Sequence, residues 1–594
     1  MLAQSSPAVR SAAELFQQAA ARAPGNAAVR CGAVELTYAQ LAAKAAGVAA
    51  RLRDSGVGRG DVVATVQERS PRQVVSMLAA WSVGAAILHF DDSDPDERIS
   101  RVLGRVRASA VLTDGANRVR VTASAVPVLD IDTCPAAPPY VVDPQLGPGD
   151  LAYVVLTSGT TGMPKAVAVE HRSLLSWYAA ARQFRGDIEL GSFGLVTTFA
   201  ADSGLDCVFG ALLSGGRLDI YRQPTVLDPP AFADELARHP VDMMVHSPSL
   251  LEALAETQEL ARFLPRRLLV VGGEALPPRL ADAILRARPG LPVINSYGPS
   301  ESTIEVIVHW LRGSDVSRTR IPIGRPLESV IARVLDGNGA EVEDGTPGVL
   351  YVGGPFLSRG YLGDPVSTSD KFIITSSGER LYRTGDIVIR DAEGVYDFLG
   401  RDDRQVKVRG HRIEPAEVEL ALLAQPGISR ALVTAEPASP GGMQLVAYVV
   451  ASQAPADPAE IAGRLRQALP AALVPSRIHL VASIPVTPNG KADLTALAAM
   501  VIPAAPSALG TGAERIVADV WRTVLGQADI DPHKPFMEAG GDSLKALRVF
   551  AELRRHYPDF TMADLFQHPT ISELAAALDP DEAHDPASPA VVEL

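Results

Sequence analysis

A short loop rich in hydroxyl groups follows an apolar run in the first third of the chain. Residues 151–156 predict a buried strand, and the loop at 157–165 reads TSGTTGMPK. Its two glycines let the backbone fold around a ligand, and its hydroxyl and N–H groups can donate hydrogen bonds to phosphate oxygens. Lys165 adds a mobile positive charge. The pattern favours a phosphate-binding loop over a plain surface loop, but it differs from the P-loop of NTPases because no Ser or Thr follows the lysine.

Four further segments match the elements of a known family. They lie at 295–301, 382–386, 400–410 and 488–491 and read NSYGPSE, YRTGD, GRDDRQVKVRG and PNGK. Together with the loop at 157–165 they resemble, in the same order, the signature elements of the adenylate-forming superfamily. That superfamily includes acyl-CoA synthetases, luciferases and the adenylation domains of nonribosomal peptide synthetases. Five matches in register over the first 500 residues identify the chain as a member of it.

The resemblance implies a reaction in which a carboxylate attacks the α-phosphate of ATP. Because two anions are forced together, the site must supply positive charge and in-line positioning. Lys491 is expected to lie between the two groups and stabilise charge as it moves to pyrophosphate, and Lys165 is the second expected catalytic lysine. Glu301 is expected to act in catalysis by holding Mg²⁺ through a hard oxygen ligand. Taken alone, Lys491 would be interpreted as an exposed turn residue and Glu301 as a structural one.

The same resemblance implies how the nucleoside is held. Asp386 accepts hydrogen bonds only when ionised, which suits the ribose hydroxyls. Tyr297 is expected to pack on the adenine, and Arg401 to reach the ribose or a phosphate. The other expected ATP-binding residues are Thr157, Ser158, Gly159, Thr160, Thr161, Gly162, Asn295, Gly298 and Ser300.

Asp403 resembles the hinge residue of the family, about which the small subdomain rotates. One orientation would insert Lys491 for adenylation, and the other would present the strand at 405–410 and open a channel for a thiol. The resemblance therefore implies two half-reactions in one pocket.

A second motif lies near the C-terminus. Residues 536–544 read FMEAGGDSL, which resembles the attachment motif of carrier proteins, and an Ala- and Pro-rich segment typical of a linker precedes it. A serine at a helix start is commonly only a structural cap. The motif and its context favour Ser543 as the carrier of a 4'-phosphopantetheine, added by a phosphopantetheinyl transferase, whose thiol accepts the acyl group. No condensation or thioesterase motif is present, so we expect a condensation domain or tailoring enzyme in trans. The sequence does not decide whether an MbtH-like protein is also a partner.

The resemblance also maps an acid-binding pocket. Asp202 matches the residue that binds the α-ammonium of amino acids through a charge-assisted hydrogen bond. Two other mapped carboxylates, Asp206 and Glu305, would be costly to bury unpaired, so they predict a cationic side chain: lysine or ornithine first, then arginine or a related acid. The alternative is that one carboxylate pairs with a nearby arginine or faces solvent. The remaining mapped residues are Ser203, Val245, Val270, Gly272, Ser296 and Ile304, of which Gly272 and Ser296 are expected to leave depth.

The alternation of helix and strand signals along the chain predicts the secondary-structure elements that position these residues. Helix starts are predicted at Ser11, Thr37 and Ser70, with short β-branched runs between them, and further starts near Pro415 and Pro458. We expect an α/β adenylation core of parallel sheets flanked by helices, a small mobile α+β subdomain, a linker, a four-helix carrier bundle and a disordered tail. Their predicted bounds are 1–401, 402–500, 501–511, 512–579 and 580–594. Within the bundle, residues 570–573 predict a capping box.

Composition excludes several other classes. Lys and Arg number 55 against 69 Asp and Glu, a net charge of −14 that gives no general attraction for nucleic acid. The three cysteines are isolated, so neither a disulfide framework nor a CxxC metal site is expected. No apolar run is long enough to cross a bilayer, which favours a cytoplasmic protein. Two alternatives stay open: an acyl-CoA-type ligase of the same superfamily, and a noncatalytic carrier scaffold.

Overall fold

The computed structural model divides into two compact units. It describes residues 9–121, 126–159, 163–257, 259–408, 410–437, 443–451, 457–485, 497, 500, 512–526, 530–537 and 539–579. The first unit comprises Met1–Val226, Asp234–Pro248 and Leu260–Glu414, and the second comprises Leu227–Ala233, Ser249–Glu259 and Pro415–Leu594. The main division thus follows Glu414, whereas the sequence places a domain boundary at residue 401.

A seven-stranded sheet in the described part of the first unit carries the phosphate loop. Its strands, in spatial order, are Gly360–Tyr361, Lys165–Glu170, Leu151–Thr157, Ala86–His89, Val62–Val66, Ala110–Thr113 and Val128–Asp130. The strands from Leu151–Thr157 to Val128–Asp130 run parallel, and Lys165–Glu170 returns antiparallel beside Leu151–Thr157. The predicted loop therefore joins two neighbouring strands.

A nine-stranded sheet, counted over the same described residues, carries most of the predicted pocket. Its strands are Arg325–Pro326, Ile307–Trp310, Val293–Tyr297, Leu268–Gly272, Met243–His246, Ser192–Leu195, Arg217–Ile220, Ala27–Cys31 and Val34–Thr37. Those from Val293–Tyr297 to Ala27–Cys31 are parallel. The carboxyl ends of parallel strands share one edge, where ligands bind in open α/β sheets. Val245, Gly272 and Ser296 lie near that edge.

An antiparallel sheet follows, which the sequence analysis did not predict. Its order is Ile331–Leu335, Gly348–Gly353, Arg380–Arg390 and Phe372–Ile374, with Tyr396–Arg401 also paired to Arg380–Arg390. Short turns rather than crossover helices join several of these strands, as antiparallel pairing permits. Beyond it lies a two-stranded hairpin of Val406–Val408 and His411–Ile413, called here the Arg412 hairpin.

Helices cover the two large sheets, and local signals specify where they begin. Ser11, Thr37 and Ser70 each cap a helix through the side-chain oxygen, which confirms all three predicted starts. None of the helices in the described residues is long and apolar enough to span a membrane. The helices before residue 414 are Ala12–Arg22, Tyr38–Asp54, Pro71–Ser82, Asp96–Val106, His171–Arg185, Asp202–Ser214, Gln223–Val226, Pro229–Arg238, Pro248–Thr257, Pro278–Ala287 and Pro365–Lys371.

From Pro415 onward, the second unit contains a small α+β segment. Strands Ile428–Pro437, Met443–Ala451 and Arg477–Leu480 form its described sheet, and helices Pro415–Leu423 and Pro458–Ala468 accompany them. Both helices begin where the sequence predicts them. The predicted linker at 501–511 and tail at 580–594 lie outside the described residues.

The described C-terminal residues include four helices, Ala513–Leu525, Ser543–His556, Met562–Gln567 and Ile571–Leu578. Trp521 is fully buried in their shared core and meets Phe536 edge-on at 4.9 Å between ring centroids. Thr570 and Glu573 form the predicted capping box. The four-helix prediction is confirmed.

Candidate active site

The phosphate loop begins in a tightly closed turn. A Cβ on Gly159 would lie 2.0 Å from the Met163 carbonyl oxygen, so only glycine fits there. Ser158 donates a hydrogen bond of 2.7 Å to the Arg412 carbonyl, and Thr157 ends the strand before it. Thr160, Thr161 and Gly162 lie outside the described residues.

Lys165 is buried at the far side of this loop. Its Nζ lies 5.3 Å from the centroid of the Tyr361 ring, a cation–π contact. Burial lowers the pKa of Lys165, although Glu414 and Glu301 partly offset that effect. Lys491 lies outside the described residues, so its predicted place stays a prediction.

Glu301 is buried in a short 3₁₀ turn, Ser300–Ser302. Its Oε1 accepts a hydrogen bond from the Tyr361 hydroxyl at 2.7 Å, and its Oε2 pairs with Arg412 Nη1 at 2.8 Å. Burial disfavours the ionised form, but Arg412 and Tyr361 hold the pKa of Glu301 below its ordinary value. Mg²⁺ prefers hard oxygen ligands such as an ionised carboxylate, so Glu301 fits the ion, and Arg412 holds the position beside Oε2 in this structure.

The structure brings Tyr297, Asp386, Arg401 and Asp403 together. Tyr297 donates its hydroxyl hydrogen bond to Asp386 Oδ2, and Arg401 Nη1 lies 2.6 Å from Asp386 Oδ1. Arg401 also makes two bonds of 2.8 Å to the Asp403 carboxylate. Asp386 therefore has a protein donor on each oxygen, and a ribose hydroxyl would use the lone pairs that remain.

A cavity of about 330 Å³ lies beside this cluster. Asn295, Ser296, Tyr297 and Gly298, all named by the sequence, contribute to its wall. A Cβ on Gly298 would lie 2.2 Å from the Ile304 carbonyl oxygen, which explains the glycine. The amide of Asn295 donates to the Pro322 carbonyl at 2.7 Å, which orients its side chain.

Sequence reasoning missed much of the remaining wall of that cavity. It is formed by Gly273, Glu274, Ala275, Leu276, Pro277, Pro278, Thr319, Arg320, Ile321, Ile323, Phe398, Leu399 and Lys407. Lys407 Nζ lies 5.6 Å from the Tyr297 ring centroid, and burial lowers the pKa of Lys407. The Gly-Gly-Glu run that ends a buried strand at 268–272 was the signal for this wall, since it lies at the carboxyl edge of the sheet.

Asp202 is the first residue of the helix Asp202–Ser214, called here the Asp202 helix. Its Oδ2 is buried and has no hydrogen-bond partner among the described residues. Burial raises the pKa of Asp202, and a hydrogen bond from Ser300 partly opposes the shift. A buried carboxylate oxygen without a donor is costly, so this atom is suited to a cationic ligand.

Asp206 and Glu305 do not lack a partner. Arg185, the last residue of its helix, places Nη2 at 2.6 Å from Asp206 Oδ2 and 3.0 Å from Glu305 Oε1. The premise that both carboxylates are unpaired is therefore wrong, and the alternative of a nearby arginine holds for both of them. Arg185 carries no motif signal, because its two contacts join residues 21 and 120 positions apart.

The other mapped residues surround this group. Val245, Val270 and Ile304 are buried, and Ser203 follows Asp202 in the same helix. A Cβ on Gly272 would lie 2.4 Å from Ser296 Oγ, so the space at Gly272 is taken by Ser296. The expected depth at Gly272 and Ser296 stays a prediction.

The Ser543 helix (Ser543–His556) is capped by the residue before the serine. Asp542 Oδ1 accepts bonds of 3.0 Å from the N–H groups of Leu544 and Lys545. Ser543 is thus the first helical residue, and Asp542 rather than the serine caps the helix. Its side chain lies outside what the structure describes.

Three family models match the chain. The AMP-binding enzyme model matches residues 16–362, more than half of the chain. The chain belongs to the AMP-binding enzyme family. The AMP-binding enzyme C-terminal domain matches residues 417–491 of this AMP-binding enzyme, and the phosphopantetheine attachment site matches residues 515–578.

Known proteins agree with an adenylation–carrier didomain. A plipastatin synthase of Bacillus subtilis (strain 168) is 36% identical over 578 residues, which are 96% of this chain and 22% of that protein. The structure of a holo NRPS protein containing adenylation and PCP domains, bound to a vinylsulfonamide inhibitor, is 26% identical with a TM-score of 0.84, covering 96% of this chain and 97% of that one. An artificially fused adenylation–PCP di-domain from Klebsiella oxytoca is 25% identical with a TM-score of 0.70, covering 79% and 93%. The chain spans about a fifth or less of the curated relatives it matches.

As a member of this family with a carrier domain, the AMP-binding enzyme uses ATP, Mg²⁺ and 4'-phosphopantetheine. The carrier also implies a phosphopantetheinyl transferase as a partner. The predicted family, fold class and cofactors are thereby confirmed.

Proposed function

We propose that this protein activates an amino acid with ATP as aminoacyl-AMP and loads it as a thioester on its own carrier domain. The carboxylate oxygen of the amino acid bonds to the α-phosphorus, and the bond to pyrophosphate breaks. The thiol of phosphopantetheine on Ser543 then attacks the acyl carbon, its proton is lost to solvent, and AMP leaves. The observation that carries the proposal is the unpartnered Asp202 Oδ2, which suits an α-ammonium, in a chain that also has a carrier domain.

The residues divide the work of adenylation. Lys165 and Lys491 supply positive charge at the phosphates, and Glu301 holds Mg²⁺, which neutralises phosphate charge when bound. The nucleoside occupies the cavity at Tyr297, with the ribose near Asp386 and Arg401. Asp403 acts as the hinge between the two half-reactions.

We further propose an amino acid with a cationic side chain: lysine, ornithine or an arginine-like acid. Arg185 balances one of the two acidic charges of Asp206 and Glu305, so that one negative charge remains when both are ionised. The loaded residue passes to a condensation domain or tailoring enzyme on another polypeptide, in the synthesis of a nonribosomal peptide such as an antibiotic.

The test uses the full-length protein primed with its prosthetic arm, in the presence of Mg²⁺ and ATP. ATP–pyrophosphate exchange across the proteinogenic acids plus ornithine should show one preferred amino acid, and intact mass should increase at Ser543. Ser543→Ala should keep the exchange and lose the loading. Faster exchange with a fatty or aryl acid would instead indicate an acyl-CoA-type ligase, and no exchange with any acid would indicate a noncatalytic scaffold.

A further inference from the structure

Two neighbouring residues after the Glu301 turn have a backbone conformation that their side chains disfavour. Thr303 has φ 62° and ψ 90°, and Ile304 has φ 65°. Both side chains branch at Cβ, so positive φ is a genuine outlier for them, whereas glycine adopts it readily. Backbone strain of this kind persists only where surrounding contacts hold it, and it is concentrated at functional sites.

Three contacts hold the strained pair in place. The Thr303 side chain is fully buried, and its Oγ1 donates a hydrogen bond of 2.6 Å to the Phe356 carbonyl. The Thr303 N–H donates to the Ser300 carbonyl at 3.2 Å. The Ile304 carbonyl packs so closely on Gly298 that a Cβ there would lie 2.2 Å from its oxygen. Because the second and third contacts use only backbone atoms, the Thr303 hydroxyl is the contact that a substitution can remove.

The strained pair separates two carboxylates with different tasks. Glu301, two residues before Thr303, is the predicted metal ligand. Glu305 directly follows Ile304, belongs to the mapped acid pocket and accepts a hydrogen bond of 3.0 Å from Arg185. Both carboxylates are buried, so the backbone between them sets the direction in which each one points. A rotation at either strained residue would therefore displace one carboxylate relative to the other.

We propose that Thr303 is a positioning residue for amino acid activation. Through its bond to Phe356 it keeps the left-handed turn that directs Glu301 to the metal and Glu305 to the acid pocket. Loss of this bond weakens metal binding and amino acid binding together. The inference rests on the proposed function, and it concerns the geometry of the site rather than the charge of the substrate.

The test measures ATP–pyrophosphate exchange of the full-length protein at varied free Mg²⁺ and at varied concentration of the amino acid that the native protein prefers. Thr303→Val keeps the branched shape but removes the donor to the Phe356 carbonyl. It should raise both the half-saturating Mg²⁺ concentration and the amino-acid KM about fivefold or more, because both carboxylates are displaced. Thr303→Ser, which keeps the hydroxyl, should hold both quantities within about twofold of the native values.

Tyr140→Phe is the matched control. It removes another buried hydroxyl that donates to a backbone carbonyl, at 2.9 Å from Leu78, and it keeps the ring. It should lower the midpoint of thermal unfolding about as much as Thr303→Val does, and leave the Mg²⁺ dependence and the amino-acid KM within about twofold of the native values.

A glycine variant guards against misfolding of Thr303→Val. Thr303→Gly also lacks the hydroxyl, but glycine adopts φ 62° without strain, so this variant should fold and show the same joint increase. If Thr303→Val and Thr303→Gly unfold more easily but change neither quantity, or if Thr303→Ser fails to preserve both, the positioning role is overturned. Absence of exchange in the native protein with every acid would instead refute the proposed function itself.

Discussion

Asp202 Oδ2 is a buried acceptor that the described part of the protein leaves without a donor. A hydrogen bond to a charged group contributes about 1.5–3 kcal/mol, so Asp202→Ala should raise the KM of the amino acid about 10- to 100-fold. ATP–pyrophosphate exchange at varied amino-acid concentration measures this effect. Asp202→Asn, of the same shape, should lose most of the same affinity because it lacks the charge. An unchanged KM in both variants would contradict the assignment of Asp202 to the α-ammonium.

Glu305 predicts a pH dependence near neutrality. Burial first, and then Asp206, raise the pKa of Glu305 to about 7, although Arg185 opposes the shift. Below that pH the Glu305 carboxyl keeps its proton, and the group formed by Arg185, Asp206 and Glu305 has no net charge. A cationic substrate therefore binds weakly. The KM of ornithine should therefore fall as pH rises from 6 to 8, by no more than about tenfold per pH unit because one proton is released. Glu305→Gln should flatten the profile, and a native profile as flat as that of this variant would refute the prediction.

The raised pKa of Glu305 also affects stability. The folded protein holds this proton at pH values where the unfolded chain has released it. The contribution of Glu305 to the free energy of unfolding is thus fully present below about pH 4.5 and is lost as pH rises through about 7.

Residues named from motifs were predictable because each motif keeps its order along the chain. Lys165, Glu301, Tyr297 and Asp386 were named in this way, and their roles stay predictions. Arg185 was not, since it belongs to no motif and meets Glu305 across 120 positions. Long-range pairing of this kind is a property of the fold, and only the structure reports it.

Helix starts were predictable at the scale of elements because capping depends on residues two or three positions apart. Thr37 begins a helix as expected, and Thr570 forms the expected capping box. Strand order was not predictable, because pairing joins distant segments: Ala27–Cys31 lies beside Arg217–Ile220. The antiparallel sheet from residue 331 to 401 was missed for the same reason.

The packing of the loop before the Ser543 helix predicts that adding one methyl group destabilises the carrier domain. A Cβ on Gly541 would lie 2.5 Å from both the Phe536 carbonyl oxygen and its ring. Gly541→Ala should therefore destabilise the carrier domain by about 1–3 kcal/mol. Amide hydrogen exchange across Ser543–His556 should become faster, and the free energy of opening that it reports should fall by a similar amount.

The control for this loop is Met537→Ala, whose side chain is 44% exposed. Its effect should stay within about 0.5 kcal/mol. Equal exchange rates in the Gly541→Ala variant and the native protein would show that the close approach to Phe536 does not require glycine at position 541.

At the scale of the whole molecule, the proposed function places both half-reactions beside Glu301. In this structure two side-chain bonds of Arg412, to Glu301 and Tyr382, tie the Arg412 hairpin to the site, and a third joins Arg412 to Gln405 directly before the hairpin. The backbone carbonyl of Arg412 also accepts a hydrogen bond from the Ser158 hydroxyl. A guanidinium and Mg²⁺ repel each other beside one carboxylate. Under the proposed function, Mg²⁺ binding for adenylation would therefore require Arg412 to withdraw from Oε2, and the arrangement seen here would suit the thiol-transfer step.

Arg412→Met should separate the two steps. Without the guanidinium, Glu301 is free for the metal, so ATP–pyrophosphate exchange should reach half its maximum at a Mg²⁺ concentration about three- to tenfold lower. Transfer from preformed aminoacyl-AMP to the primed carrier should slow about tenfold or more, because the hairpin loses its anchor. Arg318→Met, which removes an exposed ion pair of 3.1 Å with Asp397, should change neither quantity. If Arg412→Met alters neither the Mg²⁺ dependence nor the transfer rate, then Arg412 and the metal do not compete for Glu301, and the coupling between the half-reactions lies elsewhere in the chain.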